Sequence, residues 1–120
     1  MGMQFEDLEA WREARRLVAQ IYLLTRDEAL SRDFRLCSQI QSAAVSIMSN
    51  IAEGFERTGK AEKLQFYNIA RSSCGEVRSQ LYVVEDVYPS ASATAKDIRD
   101  SEVSSVGRLI TGLIFSTQKR

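Results

Sequence analysis

Apolar residues recur along this chain at the spacing of helices that bury one face. The series Tyr67, Ala70, Cys74, Val77, Leu81, Val84, Tyr88 alternates steps of three and four without a miss, and Pro89 follows it. A long helix over about 60–88 is predicted there. Ile40, Ala44, Ile47 and Ile51 predict a second helix over about 32–55. Leu8, Trp11, Ala14, Val18, Ile21 and Tyr22, widened by Leu17 and Leu24, predict a first helix over about 5–25 with Asp7 as its N-cap. Val103, Val106, Ile110, Leu113 and Ile114 predict a fourth over about 91–116, weakened by Gly107 and Gly112. One proline and six glycines are too few for an all-β chain of tight turns. The expected fold is all-α: an antiparallel up-down-up-down four-helix bundle forming one domain over 1–120.

The second helix is unusual. Leu36 to Ala52 carries no charge, although 27% of the chain is Asp, Glu, Lys or Arg. A helix without a charged face is buried nearly all round, which places it at the centre of a bundle or against a second subunit. It is not a membrane span, because Ser38, Gln39, Gln41, Ser42, Ser46, Ser49 and Asn50 are costly against lipid. Gln39, Ser42, Ser46, Ser49, Asn50 and Glu53 form a polar stripe on it, and Ser73, Glu76 and Gln80 form a matching row on the third helix. With a turn centred near Arg57, antiparallel pairing sets Gln39 beside Glu76 and Ser42 beside Ser73. The expectation is a partly buried hydrogen-bond ladder that fixes register. The alternative is that these groups reach solvent.

Charge and composition remove whole classes of activity. Lys plus Arg and Asp plus Glu number sixteen each, so no global field draws a lone chain to nucleic acid or an acidic membrane. Cys37 and Cys74 lie within apolar patterns, far from CxxC spacing, and read as buried thiols. The N-terminus has no basic region followed by an apolar core, and the Met1–Gly2 opening has Glu6 where myristoylation wants Ser or Thr. A cytoplasmic protein is expected.

No histidine is present, which excludes Ser-His-Asp and Cys-His catalysis, His-ligated zinc and the Glu-x-x-His di-iron signature. Glu53 and Glu76 fall several turns apart in the antiparallel register and cannot act as a pair. Gly54 to Lys60, GFERTGK, fits the core of a phosphate-binding loop, but Ala61 replaces the magnesium-holding Ser or Thr and no strand precedes it. Gly54 and Gly59 read instead as turn and cap residues. A non-enzyme with no cofactor, metal or small-molecule substrate is expected.

Basic residues are the remaining candidates for chemistry. Arg12, Arg15 and Arg16 share a face of the first helix, and Arg26, Arg32 and Arg35 flank the first loop. Arg12, Arg15, Arg16, Arg26 and Arg35 are the candidate nucleic-acid contacts. Against them stands an ordinary solvated face, since Glu9 and Glu13 are placed to pair with the same arginines.

The residues Phe5, Asp7, Leu8 and Trp11, then QIQSAAVSIMSNIAEG from Gln39 to Gly54, then IARSSCGE from Ile69 to Glu76, resemble the four-helix-bundle family of 23S rRNA intervening-sequence proteins. The likeness covers nearly the whole chain, and SNIAEG, Ser49 to Gly54, is its most specific element. It implies structural or interface roles for Gln39, Ser42, Ser46, Ser49, Asn50, Glu53, Gly54, Ser73 and Glu76. It also implies a small bacterial homopentamer of unsettled role, often encoded within intervening sequences of large-subunit rRNA genes. The family is similar to accessory proteins of diversity-generating retroelements, pentameric barrels that bind nucleic acid and partner a reverse transcriptase. This chain departs from the pattern at Gln41 and Ser42, where two arginines are common, at Met48, where proline is usual, and at Ser72, where glycine is usual. The first departure removes two charges that would neutralise phosphates. The resemblance implies association with RNA, a ribonucleoprotein or a nucleic-acid enzyme. The alternative is an adaptor ring that engages another protein.

Overall fold

The computed structural model describes residues 2–120; Met1, and with it the start of the Met1–Gly2 opening, lies outside the described residues. Helix α1 spans Glu9–Leu24, α2 Phe34–Glu56 and α3 Lys60–Val87. The fourth rod of the bundle is α4, Pro89–Ile98, and α5, Ser104–Gln118, joined by a π-helical turn over Arg99–Val103 whose flanking residues stay right-handed helical. The bundle measures 46 × 22 × 20 Å, and no strand occurs among the described residues. No helix is long and apolar enough to cross a membrane among the residues described.

The core follows the stripes that periodicity predicts. Ile40, Ala44, Ile47 and Ile51 of α2, and Ala70, Val77, Leu81 and Val84 of α3, have no exposed surface. Burying each large aliphatic side chain contributes about 1.5–3 kcal/mol. On α1 the buried line is Ala10, Ala14, Leu17, Ile21 and Leu24. It is rotated from the predicted face: Trp11 and Val18 are half-buried, and Tyr22 is 43% exposed.

The helix ends differ from expectation for local reasons. Asp7 does not cap α1. It ends a 3-10 turn over Phe5–Asp7, and its carboxylate accepts from the Gln4 N–H at 2.9 Å. The Phe5 ring packs edge-on against Trp11 at 5.1 Å, and extended Leu8 separates that turn from α1. Asp33 caps α2 by accepting from the Leu36 N–H at 3.1 Å. It also accepts from the Tyr88 hydroxyl at 2.6 Å, which ties the start of α2 to the corner after α3. Pro89 both ends α3 and opens α4 as its first residue, where a missing N–H costs nothing, so the fourth rod begins two residues before the predicted position.

Gly54 is neither turn nor cap. It is buried within α2, where a Cβ would lie 2.6 Å from the Tyr67 ring, so its small size lets α2 and α3 approach. Gly59 is the N-cap of α3, as expected. The GFERTGK segment is thus a helix end, a short link over 57–59 and a helix start, with Lys60 donating to the Gln118 carbonyl at 3.0 Å.

Candidate nucleic-acid interface

The arginines singled out on α1 are largely committed to their own helix end. Arg12 Nε donates to the Glu6 carbonyl at 2.8 Å and its guanidinium lies 3.8 Å from Asp7. Arg16 pairs with Glu13 at 3.0 Å. Arg15 lies over the Trp11 ring at 5.8 Å. Glu13 is a partner as foreseen, but Asp7 rather than Glu9 serves Arg12. Arg32 pairs with Glu28 at 3.3 Å. Arg15, Arg26 and Arg35 are exposed and form no ion pair among the described residues. Arg15 has the Trp11 ring, so the predicted patch keeps two cations without a partner among the described residues, Arg26 in the first loop and Arg35 at the start of α2.

The α2–α3 seam holds one cross-helix rung of the expected ladder. Ser46 Oγ and Ser73 Oγ share a hydrogen bond at 3.0 Å, and Asn50 Nδ2 donates to Ser46 Oγ at 3.0 Å and to the Ser46 carbonyl at 2.8 Å. The predicted pairs do not form. Gln39, Ser42 and Glu76 are exposed, and Glu76 accepts from Gln80 on its own helix at 3.3 Å. Register explains the difference: Ser73 meets Ser46 rather than Ser42, one helical turn from the pairing that a turn at Arg57 implies. Glu53 is exposed and holds Arg57 at 2.9 Å.

Outside this rung the two helices expose a face poor in charge. Ser38, Ser42, Val45 and Ser49 of α2 reach solvent, as do Ile69, Ser72, Ser79 and Val83 of α3, with Glu76 among them. The uncharged segment of α2 is thus buried on one side and open on the other within a single chain.

Three arginines that the sequence pattern did not single out, Arg71, Arg78 and Arg108, line a groove between α3 and α5. Only the packing of the two helices brings them together. Their one sequence signal is that Arg71, Gly75 and Arg78 recur at helical spacing. The groove floor includes Cys74, whose thiol donates to the Val103 carbonyl at 3.6 Å and is pushed by burial up to about 11. Such a thiol is protonated at neutral pH and a poor nucleophile. Among the described residues no cluster of His, Cys, Asp or Glu is placed to hold a metal.

A family model described as 23S rRNA-intervening sequence protein matches residues 6–112 of the chain. No curated protein matches it.

Proposed function

We propose that this chain, which belongs to the 23S rRNA-intervening sequence protein family, is a non-enzymatic cytoplasmic scaffold that self-associates through the α2–α3 face and engages RNA as the assembled ring. The observation that carries the reading is the exposed row Ser38, Ser42, Val45 and Ser49 on an α2 segment without a single charge. Monomeric bundles solvate such a row with charged residues. A second copy is its fitting occupant, because a face of small, neutral side chains permits close helix packing and offers a charged partner nothing to pair with. A homopentamer is the assembly implied by the sequence resemblance. It would repeat the free arginines of each neutral protomer five times, and multivalent contact raises avidity by about 10²–10⁴ without new chemistry.

Native mass spectrometry of the wild-type chain and of Val45→Arg tests the self-association, and fluorescence anisotropy against a structured rRNA fragment at low and physiological salt tests the binding. A pentamer that Val45→Arg converts to monomer, with RNA affinity lost alongside, is the expected result. A wild-type monomer overturns the assembly. A pentamer that binds no RNA even at low salt overturns the RNA half and leaves a protein-adaptor ring.

A further inference from the structure

Resting on the RNA reading above, we infer that the groove between α3 and α5 is the phosphate-backbone site, with Arg71, Arg78 and Arg108 as its ligating cations. The groove has a volume of about 530 Å³. Ion pairing decides which of its cations are free. Arg99 is held by Glu85 in a two-point ion pair, Nε at 2.7 Å and Nη2 at 2.9 Å. Asp100, the one carboxylate on the lining, is engaged by Lys96 at 2.9 Å and by Arg99 at 2.9 Å. Arg71 donates only to the neutral Asn68 Oδ1 at 3.1 Å, and Arg108 only to Ser104 Oγ at 2.8 Å. None of Arg71, Arg78 and Arg108 forms an ion pair among the described residues.

Three guanidinium groups around one concavity repel one another, and phosphate oxygens relieve that repulsion while matching the guanidinium fork. Spacing selects the form of phosphate. Arg71 and Arg78 stand seven residues apart on one helix, a rise of about 10 Å. That interval exceeds a single phosphate ion and the step between adjacent phosphates, and suits phosphates about two nucleotides apart on a polynucleotide strand. The floor leaves room for close approach: Gly75 lies between the two arginines, and a Cβ there would meet no atom within 4 Å. Ser104 and Thr111 add hydroxyls on the opposite wall.

The test uses fluorescence anisotropy of the full chain with a labelled structured rRNA fragment across a salt series, on wild type, on Arg71→Gln/Arg78→Gln/Arg108→Gln, on Gly75→Glu, and on Arg12→Ala/Arg15→Ala/Arg16→Ala. Gly75→Glu leaves every arginine in place, fills the open floor with a negative charge and improves helix propensity, so loss of folding does not mimic loss of binding. The groove variants are expected to weaken binding at least tenfold, and the triple variant to lower the slope of log affinity against log salt by about 1 per arginine removed. The α1 variant is expected to stay within about threefold of wild type, its arginines being largely paired. RNA binding that ignores the groove variants and falls with the α1 variant overturns the groove while keeping the RNA reading. If no RNA binds, amide chemical shifts of Gly75 and Gly107 titrated with inorganic pyrophosphate decide. Shifts abolished by the triple variant keep a phosphate site for free oligophosphates, and none overturns it.

Discussion

Glu85 of α3 and Arg99 of the π-turn meet in a two-point ion pair, with each side chain only 13% exposed. It is the least exposed ion pair between two elements of the bundle, and Tyr82 completes it by presenting its ring 4.1 Å from the Arg99 guanidinium. The Arg99 hydrogen bond, against partial desolvation, holds the Glu85 carboxyl below its ordinary value of 4.5. A depressed carboxyl contributes stability that is complete above its unfolded value and lost as pH falls through the folded one. Wild type is therefore expected to lose more melting temperature than Glu85→Gln as pH drops from about 5 to about 3. Thermal denaturation followed by circular dichroism at stepped pH measures this; parallel curves would contradict it.

Glu102 carries the opposite sign. It is buried, and desolvation first, then the hydrogen bond and charge of Glu13, raise its carboxyl above 4.5. A raised acid favours the folded state below its unfolded value and costs stability as pH rises through the folded one. Gln20 Nε2 donates to Glu102 at 3.4 Å while Gln20 Oε1 is buried without a partner. Glu102→Gln removes the buried charge and supplies an N–H for that oxygen. It is expected to stabilise the protein by about 1 kcal/mol at neutral pH, with little gain at pH 4, as read from urea midpoints.

Gly54→Ala sets two effects against each other. Alanine improves helix propensity by about 1 kcal/mol. Its Cβ, however, would sit 2.6 Å from Tyr67 Cε1, on a ring only 2% exposed that has nowhere to move. Overpacking costs about 1–3 kcal/mol and is expected to win. A urea midpoint higher than wild type would show that the α2–α3 seam yields.

The Ser46–Ser73 rung is expected to couple the two helices energetically. Ser46→Ala and Ser73→Ala each leave a hydroxyl without its partner, and Ser46→Ala also strips Asn50 of an acceptor. A double-mutant cycle on equilibrium unfolding should give an interaction energy of roughly 1 kcal/mol. A value near zero would assign register to apolar packing alone.

The sequence carried the bundle because its strongest signals are short-range. The uninterrupted heptad on α3 buries six of its seven predicted residues and leaves only Tyr88 half-exposed. What it carried poorly depends on contacts between distant elements. Gly54 reads as a turn glycine until Tyr67, thirteen residues later, is packed onto it. The rung at Ser46 and Ser73 was displaced by one turn because register depends on where the 57–59 link closes, not on the polar stripes themselves. Arg71 and Arg78 share only a helical spacing in the sequence, and nothing there links them to Arg108, which the packing of α5 on α3 brings beside them. The α1 arginines, the most visible cluster, are the ones that Asp7, Glu13 and Trp11 occupy.

The π-turn gives the fourth rod a counting error that the fold has absorbed. At about 100° per residue, the buried positions of α4, Ala91, Ala95 and Ile98, and those of α5, Val106, Ile110 and Ile114, belong to stripes offset by about one residue. An uninterrupted α-helix would carry one of them off the core, and the wider turn brings both back, with Glu102 and Val103 buried side by side at the splice. Deleting one exposed residue there, Ser101, would leave a regular helix whose two halves share a single phase. This stretch is a place where the chain length is free to change by one while the architecture stays the same.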